Sequence, residues 1–162
     1  MTFSVCFVCT GNICRSPMAE SVFRARVAEA RLDGLVSVDS AGTGGWHEGD
    51  GADHRTVAVL REAGYEHSHV ARQFRPSWFA RLDLVIALDQ GHLQALCRLA
   101  PTDADAAKVR LLRSYDPVAG GLDVPDPYYG GMDGFEECLK MVEAASEGLL
   151  ADVRKAVEER AA

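Results

Sequence analysis

Short apolar runs and helical stripes take turns along the chain. Phe3, Ser4, Val5, Cys6, Phe7 and Val8 form a compact run that stops at a Gly-containing turn, the pattern of a strand buried on both faces. Past the turn, Ser16 can cap a helix and Pro17 can take its first position, with Ala19, Val22, Phe23, Val27 and Ala30 on roughly one side. Residues 35–41 read as a second strand, 42–51 with five glycines as a loop, and 53–63 as a helix stopped by Gly64. Residues 84–88 make a third buried strand, and the helix after it carries Leu93, Leu96, Cys97 and Ala100 on one face. A fourth strand falls at 109–112. A last helix begins near residue 134, with Phe135, Leu139, Val142, Leu149, Val153 and Val157 at helical spacing. Strands alternating with helices predict an α/β fold, a parallel sheet covered on both faces with ligands bound beyond the carboxyl ends of its strands.

Composition narrows the partners. A chain of 162 residues, 48% hydrophobic and 25% charged, suits one globular domain spanning residues 1–162. A net charge of -7 argues against nucleic acid, so an anionic ligand has to be captured by a focused site. Five irregularly spaced cysteines, an odd count, read as reduced thiols and point to the cytoplasm. The apolar start is too short for a signal-peptide core, and no window approaches the length needed to span a membrane.

The chemistry concentrates in the loop Cys9, Thr10, Gly11, Asn12, Ile13, Cys14, Arg15, Ser16 between the first strand and the first helix. A phosphate ester is an anion, and a short loop can aim successive backbone N–H groups at it while the helix N-terminus adds positive potential. Gly11 and Asn12 tolerate the left-handed backbone that such a wrap needs. The planar fork of Arg15 can bond two phosphate oxygens at once, which a lysine cannot do. In such surroundings a thiol pKa falls to ~3.5–7.5 from its usual value of roughly 8.5, which makes Cys9 a nucleophile. Taken alone, Cys9 is equally a buried strand-end thiol and Arg15 a surface residue; the two together, at first and seventh positions of this loop, favour chemistry.

An aryl phosphate also needs a proton for its leaving group, delivered from another loop. Residues 122–131, rich in proline and glycine, offer Asp123 and Asp126, although Asp126 before Pro127 also suits a plain Asx turn. Trp46, Tyr128 and Tyr129 lie on expected loops, where they could sandwich a phenyl ring. No metal ligand set stands out, because Cys9 and Cys14 lack a Cys/His pair to complete a tetrahedral site, and no cofactor is expected.

The run from Val8 through Cys9, Arg15 and Pro17 to Glu20 resembles the signature of low-molecular-weight protein tyrosine phosphatases. Asp39 to Thr43, Trp46, Ser68 to Arg72, the strand ending at Asp89 and Asp126 to Tyr129 resemble further family segments in the family's order. The resemblance implies a three-layer α/β/α domain with a four-stranded parallel sheet in the order 2-1-3-4 and about five helices. It implies that Cys9 is the nucleophile, that Arg15 and the loop from Thr10 to Ser16 hold phosphate or another oxyanion, and that Asp126, not Asp123, is the general acid. Trp46 and Tyr128 become pocket walls with Tyr129 on the rim, and Ser16 bonds the Cys9 sulfur as well as capping. His69 fixes Asn12, Cys14 forms a reversible disulfide with Cys9, and the substrates are phosphotyrosine-containing proteins. His47, His54, His67 and His92 read as solvated surface residues.

Four other functions fit parts of the pattern. An arsenate reductase needs a cysteine shuttle, for which only Cys97 is present near the third strand; a protein-arginine phosphatase resembles this loop with threonine where Ile13 stands. A phosphocarrier has no use for Arg15 and Asp126, and a catalytically dead phosphotyrosine-binding module has no reason to keep Cys9 and Asp126.

Overall fold

The computed structural model describes residues 2–161. Its strands are β1 (Phe3–Cys9), β2 (Val36–Gly42), β3 (Leu84–Ala87) and β4 (Val109–Leu111), all parallel, in the order β2-β1-β3-β4. The helices are α1 (Arg15–Glu29), α2 (His54–Glu62), α3 (Gln90–Leu99), the single turn α4 (Asp103–Ala106) and α5 (Met132–Ala161), with 3-10 turns at Pro76–Ala80 and Leu112–Tyr115.

The layers follow from the period of two along β1. Val5, Phe7 and Cys9 point into one core with Met18, Val22 and Phe23 of α1, Leu60 of α2 and Phe135, Val142 and Leu149 of α5. Cys6 and Val8 point into a second core on the other face, with Val85 and Ala87 of β3, Leu96 of α3, and Phe74 and Phe79. A strand buried on both faces has no polar side to present, which is why its sequence reads as an unbroken apolar run.

Boundaries shift where a local bond overrides the apolar pattern. β2 runs to Gly42, which pairs with Cys9 of β1 and also bridges to Gln73, a segment with no helical or strand signal of its own, while Leu35 stays outside and exposed. Asp53 is not inside α2 but caps it, its Oδ1 accepting the Arg55 amide at 2.9 Å. α1 starts at Arg15, and no side chain caps it. Ser16 therefore does not serve as the cap its sequence position suggests, because its hydroxyl is committed to the loop. Cys97 is exposed, not on the buried face of α3, where His92 and Leu96 lie. α5 begins at Met132, two residues before the expected start near residue 134.

Candidate active site

β1 and β3 lie side by side, so the loop leaving β1 at Cys9 and the turn leaving β3 at Asp89 share one end of the sheet. The β1 loop is shaped from outside. The carbonyls of Cys9 and Thr10 accept the amides of Thr43 and Gly44 at 2.8 and 3.0 Å, and that of Ile13 accepts the Asp53 amide at 2.8 Å. The Asn12 carbonyl meets His69 Nε2 at 2.7 Å, and the Cys14 carbonyl takes the Thr56 hydroxyl at 3.3 Å. Peptide groups are planar, with the next residue's N–H opposite each carbonyl. Turning these carbonyls outward turns the amides of Thr10, Gly11, Ile13, Cys14 and Arg15 toward the hollow of the loop.

Asn12 is the left-handed residue of the wrap, with φ 57°. Its side chain holds it there: Nδ2 donates to Ser16 Oγ at 2.8 Å and Ser40 Oγ at 3.0 Å, and Oδ1 accepts the Arg72 amide at 3.0 Å. Gly11 does not need left-handed backbone; it is small because a Cβ there would sit 2.9 Å from the His47 ring. Cys9 Sγ lies 2.9 Å from Ser16 Oγ, which accounts for the serine hydroxyl lost as a cap.

Arg15 is 3% exposed. Its Nη1 donates to Asp89 Oδ2 at 2.8 Å and the Val124 carbonyl at 2.9 Å, using both hydrogens and leaving Nε and Nη2 for a ligand. Nη2 is 3.8 Å from Asp126 Oδ2. Asp126, its side chain 46% exposed, also accepts the Tyr128 amide at 3.1 Å, so the Asx turn and a place in the site hold together. Asp123 instead accepts the Gln90 amide at 2.9 Å, against the start of α3, and does not line the cleft.

These groups border a cleft of about 330 Å³ lined by Cys9, Thr10, Gly11, Ile13, Cys14, Arg15, Trp46, His47, Asp126, Tyr128 and Tyr129. Trp46 is 76% exposed and lies against Gly44, where any Cβ would overlap the indole. Tyr128 and Tyr129 meet edge to face at 5.0 Å, both exposed, the second at 92%. Cys14 is buried, and burial first, then the charges of Asp53, Cys9 and Asp126, pushes its thiol up to about 12. Among the described residues no cluster of three or more His, Cys, Asp or Glu could hold a metal ion, and no helix is long and apolar enough to cross a membrane.

The family model for low molecular weight phosphotyrosine protein phosphatases matches residues 4–159. The chain belongs to that family. This phosphatase is similar to the low molecular weight protein-tyrosine-phosphatase of Streptomyces coelicolor, 77% identical over 164 aligned positions and 100% of both chains. It is 49% identical to low molecular weight protein-tyrosine phosphatase A of Mycobacterium tuberculosis over 90% of this chain and 88% of that one. The crystal structure of a protein tyrosine phosphatase from Entamoeba histolytica, with Hepes in its active site, matches with a TM-score of 0.92 and 33% identity, covering 96% of this chain and 99% of that one.

Four residues of the phosphatase site escape a reading of its sequence. Asp89, in the turn after β3, grips Arg15 and caps α3 through the His92 amide at 2.9 Å. Burial works to raise its carboxyl, but the His92 amide and the Arg15 guanidinium outweigh burial and hold it below the usual carboxylate range. His92 is buried, not solvated, with Nε2 2.8 Å from Thr10 Oγ1. His47 lines the cleft beside Gly11. Arg55, on the first turn of α2, pairs with Asp53, donates to the carbonyls of Tyr128 and Gly130 at 3.0 Å each, and stacks on the rings of Tyr128 and Phe135.

Proposed function

We propose that this protein-tyrosine phosphatase hydrolyses phosphotyrosine in proteins by two in-line displacements at Cys9. In the first, the Cys9 thiolate forms a bond to phosphorus as the P–O bond to tyrosine breaks, and Asp126 gives its proton to the departing phenolate. In the second, water attacks phosphorus and passes its proton to Asp126, the S–P bond breaks, and inorganic phosphate leaves with the thiolate restored. The inward amides and the free edge of Arg15 meet the equatorial oxygens, where negative charge collects in both transition states. Ser16 Oγ, 2.9 Å from Sγ, stabilises the sulfur as it becomes a leaving group. Trp46 and Tyr128 flank the substrate ring, Tyr129 forms the rim, and His69 supports the loop through Asn12.

The observation that carries this reading is convergence: Cys9, the Nη2 edge of Arg15 and the Asp126 carboxylate border one cleft, with Nη2 of Arg15 3.8 Å from Asp126. Ile13, where arginine phosphatases resemble this loop with threonine, and the tyrosine pair after Asp126 favour a flat aromatic ester. The odd, irregular set of five thiols supports a cytoplasmic setting. The buried Cys14 thiol, five residues from Cys9, is the partner for a reversible disulfide that protects the nucleophile from overoxidation.

Turnover of phosphotyrosine, phosphoserine and phosphoarginine peptides, measured side by side, tests the reading. Phosphotyrosine should be hydrolysed far faster than the others, Cys9→Ser should fall to background, and Asp126→Asn should lose ~10²–10⁴-fold in kcat, the usual contribution of a general acid. Full turnover by Cys9→Ser would refute it.

A further inference from the structure

Thr10, Arg15, Asp89 and His92 close a ring of contacts at the edge of the cleft. Arg15 Nη1 donates to Asp89 Oδ2 at 2.8 Å, and Asp89 Oδ1 accepts the His92 amide at 2.9 Å. His92 Nε2 lies 2.8 Å from Thr10 Oγ1, and Thr10 Oγ1 is 3.5 Å from Arg15 Nη2. His92 Nε2 is also 3.5 Å from Arg15 Nη2. Its Nδ1 sits 3.1 Å from Asp89 Oδ1 but off the line of a hydrogen bond.

We propose that His92 is a positioning residue for Arg15: its Nε2 accepts a hydrogen bond from the Thr10 hydroxyl, so that the Thr10 oxygen faces Nη2 as an acceptor and fixes the plane of the guanidinium. The inference rests on Arg15 being the phosphate clamp. Nη1 alone, held by Asp89 and Val124, is a hinge about which the rigid guanidinium plane can swing. A second acceptor at Nη2 removes that freedom. Both 3.5 Å contacts are long, so Nη2 is steered while keeping hydrogen to give a phosphate oxygen.

The device works only with a neutral imidazole. An Nε2–H would turn the Thr10 proton toward Arg15, placing donor against donor and cation against cation. Burial, then the Arg15 charge, holds His92 down at about 4, while Asp89, Asp126 and Asp123 pull the other way. At neutral pH the ring is therefore neutral, and Asp89 Oδ1, 3.1 Å from Nδ1, favours its one proton there, which leaves the Nε2 lone pair toward Thr10. Filling space on the first turn of α3 is a different role, which an apolar side chain of similar size performs equally well.

The comparison of His92→Gln with His92→Leu separates the two. Glutamine places a carbonyl oxygen near the position of Nε2 and can accept from Thr10; leucine fills the space without an acceptor. Inorganic phosphate affinity by titration calorimetry and kcat and KM on p-nitrophenyl phosphate are the readouts, with thermal unfolding as the control for folding. Leucine should weaken phosphate binding and kcat/KM roughly tenfold, as loss of a hydrogen bond at a charged group does, and glutamine should restore both to within about twofold. Thr10→Val should lose more than Thr10→Ser, because only serine keeps the hydroxyl, which decides the matter even where His92→Leu fails to fold. Equal phosphate affinity in the glutamine and leucine variants, or in the valine and serine variants, overturns the inference. A tenfold loss of phosphate affinity in a protein that leaves phosphotyrosine intact instead upholds the ring and sinks the proposed reaction.

Discussion

Removing the Asp89 carboxylate should be among the most damaging single changes on the sheet's carboxyl edge. Its two oxygens serve two ends: Oδ2 receives Arg15 Nη1 at 2.8 Å and Oδ1 caps α3 through the His92 amide at 2.9 Å. Arg15 is 3% exposed, and its other Nη1 partner is a neutral carbonyl. Stripping one member from a buried pair leaves an uncompensated charge and costs about 3–5 kcal/mol. Losing a cap adds roughly 1 kcal/mol. Asp126, 3.8 Å from Nη2, remains as a partial counter-charge, which places Asp89→Ala near about 4 kcal/mol. Asp89→Asn keeps the cap and loses only the charge, so it should be less damaging by about 1 kcal/mol. Urea unfolding followed by circular dichroism, at neutral pH and fixed phosphate concentration, measures both. If Asp89→Ala falls within about 1 kcal/mol of the parent, the pair is not the anchor of Arg15, and the account of how this guanidinium is held fails.

Acid should weaken the phosphatase through His92: with a folded value of about 4 against roughly 6.5 unfolded, the unfolded chain takes up the proton first as pH falls. Stability contributed above the unfolded value is then lost through that window, about 2 kcal/mol from this residue between about pH 7 and 4.5, and His92→Gln should flatten the curve by that amount; parallel curves count against the buried neutral imidazole. Arg55→Ala removes the brace on the Asp126 loop and should lower kcat on aryl phosphates about tenfold, while inorganic phosphate affinity at Arg15 stays near the parent value. After a short peroxide pulse, the rate at which Cys14 closes a disulfide on oxidised Cys9 should rise about tenfold per pH unit below its thiol value of about 12, because only the thiolate attacks. Peptide mapping over time reads that rate, and a pH-independent rate is incompatible with a buried, protonated Cys14.

What the sequence makes legible here is whatever depends on near neighbours. β1 announces itself because both its faces are buried, and the Cys9 to Ser16 loop because its chemistry is contiguous. Elements with no apolar rhythm, such as α4 and the 3-10 turns, stay hidden, as does the Gly42 bridge to Gln73. Ser16 misleads for a related reason: a serine before a proline has the signature of a cap, but Asn12 and Cys9 compete for the same hydroxyl and prevail. Cys97 misleads through helical spacing, which places it next to the buried stripe of α3 without placing it inside.

Asp89 and His92 lie 74 and 82 positions from their partners Arg15 and Thr10, and although the strand ending at Asp89 resembles a family segment, nothing around either residue assigns it a role. Half of that distance can nevertheless be closed by topology. In the order β2-β1-β3-β4, β1 and β3 are neighbours and run parallel, so the turn that leaves β3 has to stand beside the loop that ends β1. An acidic residue at that position, facing a loop that carries one buried arginine, has an electrostatic reason to be there before any coordinate is known. His92 follows only at the next step: once Asp89 caps α3, the helix's first turn presents its third residue to the same cleft edge, and there the handedness of the helix, not the composition of the chain, chooses what touches Thr10.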